Sequence, residues 1–150
     1  LLSRKTKYAI KALLALSRKY EQGPVLISEL SEKERLPRKF LEAILLDLKN
    51  QGILGSKKGS GGGYYLIKAP ADIMLSSVIR ITDGPISLTS CVSLNFYEPC
   101  DDCPDELTCS LRDVAKDVRD ASLNILTKTS LQDMLDREKK LKKSGKKSRK

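Results

Sequence analysis

The most reactive side chains in this 150-residue sequence are four cysteines, Cys91, Cys100, Cys103 and Cys109, in the spacing C-x8-C-x2-C-x5-C with none elsewhere. Four thiols so close together point to one site. Disulfides belong to oxidising compartments and are disfavoured in a chain without a secretory signal. A zinc ion held by four thiolates is chemically sound, and so is an iron–sulfur cluster, whose standard ligands are cysteine thiolates. Spacing alone does not separate the two metals, and unligated thiols remain a third alternative. The flanking Asp101, Asp102, Asp105 and Glu106 make the segment electronegative and solvated, which suits either metal. The sequence contains no histidine. That excludes zinc–histidine hydrolases, cysteine–histidine proteases and the histidine-containing zinc deaminases. A thiol oxidoreductase built on Cys100-Asp101-Asp102-Cys103 would need a helix N-terminus beside a βαβ unit, and the pattern here offers neither. No enzyme is expected.

The second chemical signal is where the charge lies. The net +9 is unevenly spread. Residues 1–68 carry 14 Lys/Arg against 6 Asp/Glu, residues 69–136 carry 5 against 12, and residues 137–150 carry 9 against 1. A basic first half suits a polyanion, because each phosphate neutralised by Lys or Arg releases condensed counterions. The lysine-rich end, residues 137–150, is poor in apolar residues and reads as a disordered basic tail, either a solubilising extension or a phosphate-binding arm. The apolar fraction of 40% and charged fraction of 31% are those of a globular protein. No uncharged apolar run approaches the ~18 residues of a membrane span, and Arg4, Lys5, Lys7 and Lys11 interrupt the first apolar stretch. A soluble, cytoplasmic protein without membrane association is expected.

The elements that must position these groups follow from periodicity. Tyr8, Ala12, Leu13, Leu16 and Tyr20 form one stripe of a helix over about residues 3–20, which Gly23-Pro24 stops. Ser28 is a plausible N-cap for a short helix to about Glu34. Pro37 suits the first turn of the next helix, where Phe40, Leu41, Ile44, Leu45 and Leu48 fall at helical spacing before Gly52 ends the run. Two short helices so joined are a helix-turn-helix candidate. A strand from Ile53-Leu54, the turn Lys57-Lys58-Gly59-Ser60-Gly61-Gly62-Gly63 and a return strand Tyr64-Tyr65-Leu66-Ile67 then make a hairpin with lysines at its tip. This is the arrangement of a wing: glycines let the backbone approach a sugar–phosphate surface while the lysines supply charge. A phosphate cradle of the Walker or dinucleotide type is excluded, since a strand and not a helix follows the glycines. A short helix over Leu75–Thr82, closed by Asp83-Gly84-Pro85, precedes the irregular cysteine segment. A long helix over Ser110–Leu126 then places Leu111, Val114, Val118, Ala121 and Ile125 on a heptad-like seam, packed on its own domain or crossing to a partner. Leu131, Met134 and Leu135 mark a last short helix.

The order of these features resembles the Rrf-two type of transcription regulators (IscR, NsrR and CymR), over nearly the whole chain to about Leu135. The resemblance rests on Tyr8-Ala9 through Leu14, Ile27-Ser28-Glu29-Leu30, Leu36-Pro37-Arg38-Lys39-Phe40-Leu41-Glu42, the wing Gly59-Ser60-Gly61-Gly62-Gly63-Tyr64, Asp83-Gly84-Pro85 and the cysteine segment running into Leu111-Arg112. It implies a mainly α fold with a small β-hairpin: a winged helix-turn-helix DNA-binding domain (1–70), a cysteine loop with a dimerisation helix (71–136) and the tail (137–150). It implies a homodimer that binds double-stranded DNA, with Lys5, Ser28, Arg38, Lys39, Glu42, Lys57, Lys58, Gly61, Gly62 and Tyr64 at the DNA. Glu42 would accept from cytosine, and Lys39 and Lys58 would favour guanine or phosphate. In many members it also implies a 2Fe–2S or 4Fe–4S cluster that sets DNA affinity, here held by Cys91, Cys100, Cys103 and Cys109. The sequence departs from the family at the fourth ligand. Arg112 stands where IscR has a histidine, three residues after the last cysteine, and Lys7 where NsrR has an aspartate. A cluster-free regulator governed by thiol oxidation, zinc or a protein partner is the alternative.

Overall fold

The structure, a computed structural model, describes residues 1–147, the last two through their backbone alone. The chain folds around its first helix, α1 (Arg4–Arg18), whose N-cap Ser3 accepts a hydrogen bond from Thr6 N at 3.1 Å. Of the predicted stripe, Ala12, Leu13 and Leu16 are at most 2% exposed and Tyr8 and Tyr20 are half-buried at its edge, while Ala9 joins the buried face. Helices α2 (Ile27–Glu34), α3 (Arg38–Asn50), α4 (Leu75–Thr82) and α6 (Leu131–Lys147) pack on or beside this face. α3 contributes Leu41, Ile44, Leu45 and Leu48, each fully buried and each stabilising by about 1.5–3 kcal/mol relative to exposure.

Local chemistry sets the element ends. Between α2 and α3 the chain turns through Arg35, held in the left-handed region at φ 53°, while Leu36 N donates to Ser31 O at 2.9 Å. Pro37, locked in φ, then starts α3 from outside as its N-cap rather than from within its first turn. Likewise Ser28 lies inside the first turn of α2, and Leu26 holds the cap position. Gly52 ends α3 with φ 74°; Ile53 N bonds Leu48 O and Gly52 N bonds Lys49 O, both at 3.0 Å. This paired closure satisfies the last carbonyls of the helix.

The wing is a two-stranded antiparallel hairpin, β1 (Leu54–Lys57) and β2 (Gly63–Leu66), in the register Leu54↔Leu66 through Lys57↔Gly63. Leu54 and Leu66 anchor its inner end in the core. A short bridge pins its outer half: Val25 N donates to Tyr64 O at 2.8 Å and Tyr64 N to Val25 O at 2.9 Å. The approach is so close that a Cβ on Gly63, whose φ is 146°, would lie 2.1 Å from Val25 O.

After a 3-10 turn at Pro70–Asp72 and α4, the chain leaves the core. A second 3-10 turn, Ser90–Val92, opens the irregular cysteine segment, and α5 (Ser110–Leu126) follows. Cys91, Val92 and Ala115 form a small separate apolar cluster between turn and helix, and Arg119 Nη1 donates to Val92 O at 2.6 Å. Ala115 is the buried residue of α5. Its predicted seam is bare: Leu111 is 64% exposed, Val114 58%, Val118 39% and Ile125 59%. The chain then returns to the core, where Leu131 N bonds Ile73 O at 3.0 Å and Leu75 N bonds Thr129 O at 2.9 Å.

One expectation is corrected. The last helix is not short, and most of the supposed disordered tail belongs to it, since α6 runs without a break from Leu131 through Lys147. Fully buried Leu131 anchors its start. Glu138 then accepts from Arg18 of α1 at 2.8 Å and from Lys142 one turn on at 3.0 Å, and Gln132 donates to Asp136 at 3.0 Å. Lysine and glutamate are good helix formers once a docked first turn has nucleated the helix. Residues 148–150 lie outside the described part. Among the described residues no helix is long and apolar enough to cross a membrane.

Gly63→Ala is expected to lower the urea midpoint of the folded chain. The Gly-only backbone conformation alone costs about 1–3 kcal/mol, and the clash with Val25 O adds to it; urea denaturation followed by circular dichroism measures the loss.

Candidate functional site

Helix α2 is held in place by charge. Glu29 in its first turn accepts from Lys19, the residue that caps the end of α1, and from Lys33 at 2.7 Å, and these two bonds hold its carboxyl down at about 2. The first turn of α3 rests on α1 through the edge-to-face pair of Phe40 and Tyr8, centroids 5.6 Å apart. With both helices fixed and the wing pinned at Val25, an open groove runs between the start of α2, the outer face of α3 and the hairpin. Ser28 and Arg38 stand on one side, Lys57, Lys58, Gly62 and Tyr64 on the other. Four cations line it (Arg38, Lys49, Lys57 and Lys58) and, among the described residues, no carboxylate does. In a concave surface such a set focuses positive potential toward a phosphate backbone.

Six of the ten residues expected at DNA therefore meet around one groove. Lys39 and Glu42 are exposed on α3 outside its lining, where Glu42 accepts from Arg38 Nε at 3.3 Å. That bond is surface-exposed and readily exchanged for another partner. Gly61 is exposed at the wing tip, with φ 73°. Lys5 stands apart: its ammonium pairs with Asp47 of α3 at 2.7 Å, tying α3 to α1. The sequence reasoning missed Lys49, although the signal was there: Arg38, Glu42 and Lys49 recur at i, i+4 and i+11, one face of a helix.

The four cysteines are all unpaired. Cys91 is buried and shares a hydrogen bond with the Thr89 hydroxyl at 3.3 Å. That contact, more than the neighbouring Cys100 thiol and the positive Arg112, holds its thiol below the ordinary value against the opposing effect of burial. Cys100 lies against Cys91, which pushes its thiol up, with burial and the charges of Cys103 and Cys109 adding to the effect. Burial first, then Cys109, pushes the Cys103 thiol up. Cys109 is the N-cap of α5 and accepts from Arg112 N at 3.4 Å. The thiols thus stand as two adjacent pairs within electrostatic reach of each other. As placed, no three Cys, Asp or Glu side chains converge on a common point among the described residues. The donor set still suits a metal group: four soft sulfur donors on one segment, with no competing imidazole. Beside them lies an unsatisfied atom, since Arg112 Nε is buried without a hydrogen-bond partner. Its Nη2 pairs with Glu106 at 3.4 Å, and Glu106 also accepts from the Tyr97 hydroxyl. Sequence periodicity gave no hint that Arg112 turns inward.

The sequence and the fold have matches among known proteins. The model of the Rrf2 family, described as iron-dependent transcriptional regulator, matches residues 2–137. The chain belongs to the Rrf2 family. A putative Rrf2-like regulator of Rhodobacter capsulatus is 41% identical over 90% of this chain and 92% of its own. Among solved Rrf2 relatives, CymR of B. subtilis, titled a global cysteine regulator, superposes with a TM-score of 0.73 at 28% identity, covering 89% of this chain and 95% of that one. T. potens IscR superposes with a TM-score of 0.70 at 25% identity, covering 92% and 88%. The expected winged-helix Rrf2 fold is therefore the fold of this chain, and the chain is a transcriptional regulator of that family.

Proposed function

We propose that this regulator works in the cytoplasm as a homodimer that reads double-stranded DNA in a sequence-specific way, and that its four cysteines hold an iron–sulfur cluster that tunes the reading. The observation that carries the DNA half is the groove lined by Arg38, Lys49, Lys57 and Lys58 without an acid. Arg38, Lys39 and Glu42 project from the exposed start of α3, as a recognition helix presents side chains to a major groove. Glu42 would act by discrimination, accepting from cytosine and repelling phosphate, while Lys57 and Lys58 bind the backbone. Gly61 and Gly62 let the wing approach the duplex, and Ser28 and Tyr64 supply hydroxyls to it. Lys5 would reach phosphate by exchanging Asp47 for it.

The homodimer is supported by the bare apolar seam of α5, a stripe too extensive to leave in water. Two copies of it, paired about a two-fold axis, would set two grooves on one duplex. The chain does no chemistry of its own and is no enzyme.

The cluster is supported by the donor set and by the family's description as iron-dependent. Cys91, Cys100, Cys103 and Cys109 would hold it, and it would supply an oxidant- or iron-sensitive cross-link. The residues that transmit its state are the chain's own. Cys91 sits in the cluster with Val92 and Ala115, and Cys109 caps α5, so tightening or releasing these thiols moves the start of α5. Because α5 also touches α4, such a shift would change the spacing of the two grooves.

Duplexes selected from a random pool should share two related half-sites and bind the wild type more tightly than scrambled sequence in fluorescence anisotropy. K57A/K58A is expected to weaken binding to every duplex alike and to flatten the log affinity–log salt slope by roughly 0.9 for each phosphate that is no longer neutralised. An unchanged slope refutes the wing's role. Val118→Glu should keep its helical circular dichroism yet sediment as a monomer. Protein purified without oxygen should be brown, and replacing any one cysteine by alanine should bleach it; colourless protein with stoichiometric zinc overturns the cluster and spares the DNA interface.

A further inference from the structure

Arg112, the residue at the position of the IscR histidine, has its own place in the structure. Arg112 lies in the first turn of α5, three residues after Cys109, and its side chain is 18% exposed. Its backbone N–H already donates to Cys109 Sγ. Its guanidinium reaches Glu106 through Nη2 alone and acts electrostatically on Cys91. Its Nε–H is buried with nothing to receive it. A buried donor left unmade is costly, and native structures rarely keep one without a purpose. The acceptors in its neighbourhood are the Glu106 carboxylate, already engaged by Nη2, and the cysteine sulfurs of the same segment.

Charge points the same way. Four thiolates around a zinc ion, or around an oxidised iron–sulfur core, leave a dianion, here on a segment that also carries Asp101, Asp102, Asp105 and Glu106. A partly buried anion requires a cation and hydrogen-bond donors close by. We propose that Arg112 is a positioning residue of the cysteine centre: its buried Nε–H donates to a sulfur of that centre, and its guanidinium balances the centre's negative charge. This rests on the cysteines holding a metal group, whether iron or zinc. Where a histidine would donate an electron pair to the metal, Arg112 donates a hydrogen bond to the ligands, and a fourth thiolate completes the set.

The rival role for Arg112 is a strut, the Tyr97–Glu106–Arg112 chain holding the loop to α5. Glu106→Gln weakens the strut and leaves the guanidinium in place, so it separates the two roles. The experiment uses the full-length dimer reconstituted with iron and sulfide without oxygen, or with zinc alone, as wild type, R112Q, R112K and E106Q. Metal release to a chromogenic chelator is timed, with circular dichroism to check folding. R112Q is expected to release metal about tenfold faster or more, the scale of a lost outer-shell partner. R112K should lie between R112Q and wild type, since it restores charge without the Nε–H, and E106Q should stay close to wild type. With iron, the one-electron midpoint potential, titrated with dithionite and mediator dyes, should fall in R112Q, because losing a neighbouring positive charge disfavours electron uptake. Equal release from R112Q and wild type overturns the proposal, and so does E106Q releasing metal as fast as R112Q. If R112Q fails to fold, R112K against E106Q decides by the same comparison. Zinc uptake without iron, with R112Q releasing zinc faster, supports Arg112 while overturning the iron–sulfur assignment. A wild type that takes up neither metal overturns both.

Discussion

Everything else in the structure depends on the burial of one face of α1. Ala9 and Ala12 are completely inaccessible, and Leu13 and Leu16 nearly so. Where two alanines face inward a helix offers little bulk, and its neighbours pack close. α2, α3, α4, α6 and β2 all meet α1, so the two helices of the DNA-reading motif, the wing and the closing helix take their positions from the same surface. A packed interior of this kind transmits displacement rather than absorbing it.

That surface also faces the part of the chain that carries the cysteines. Thr6, fully buried on α1, shares a 2.5 Å hydrogen bond with the Thr82 hydroxyl at the end of α4. Asp83 accepts from Ser3 N at 2.9 Å at the cap of the same helix. α4 in turn touches α5, whose first residues carry Cys109 and Arg112. A short polar seam and one helix therefore separate the thiols from α1, the element on which α3 is packed. Proximity of this kind is a physical route for coupling; the size of the coupling is a matter for measurement.

Much of the fold was legible because it rests on local signals. The stripe of α1, the helical spacing of Leu41, Ile44, Leu45 and Leu48, the Gly52 stop and the Leu75–Thr82 and Ser110–Leu126 helices all follow from periodicity and turn chemistry. So does the hairpin, since only a glycine-rich tip between apolar strands folds back in that way. What escaped was set by interactions between distant residues. The length of α6 depends on Arg18 meeting Glu138 across 120 positions, whereas composition alone reads its lysines as solvated chain. The diversion of Lys5 to Asp47 is likewise non-local, while Arg112 turns in toward the irregular segment just before it, which has no periodicity to read. Lys49 was within reach of helical arithmetic starting from Arg38 and Glu42, the positions that the family resemblance had singled out.

The way the hairpin is fastened has a consequence for how such a protein diversifies. Its inner end is fixed by Leu54 opposite Leu66 and its middle by Val25 against Tyr64, while the outermost residues are exposed apart from Gly62. Adding residues in pairs beyond the last rung keeps every inner side chain on its own face. Even doubling the tip costs only about 0.6 kcal/mol in closure entropy. An added pair, one residue on each strand, lengthens the hairpin by about 3.4 Å and carries Lys58, the lysine beyond the last rung, that much farther from the core. The reach of the wing can therefore be retuned by small insertions at one point, with the core untouched.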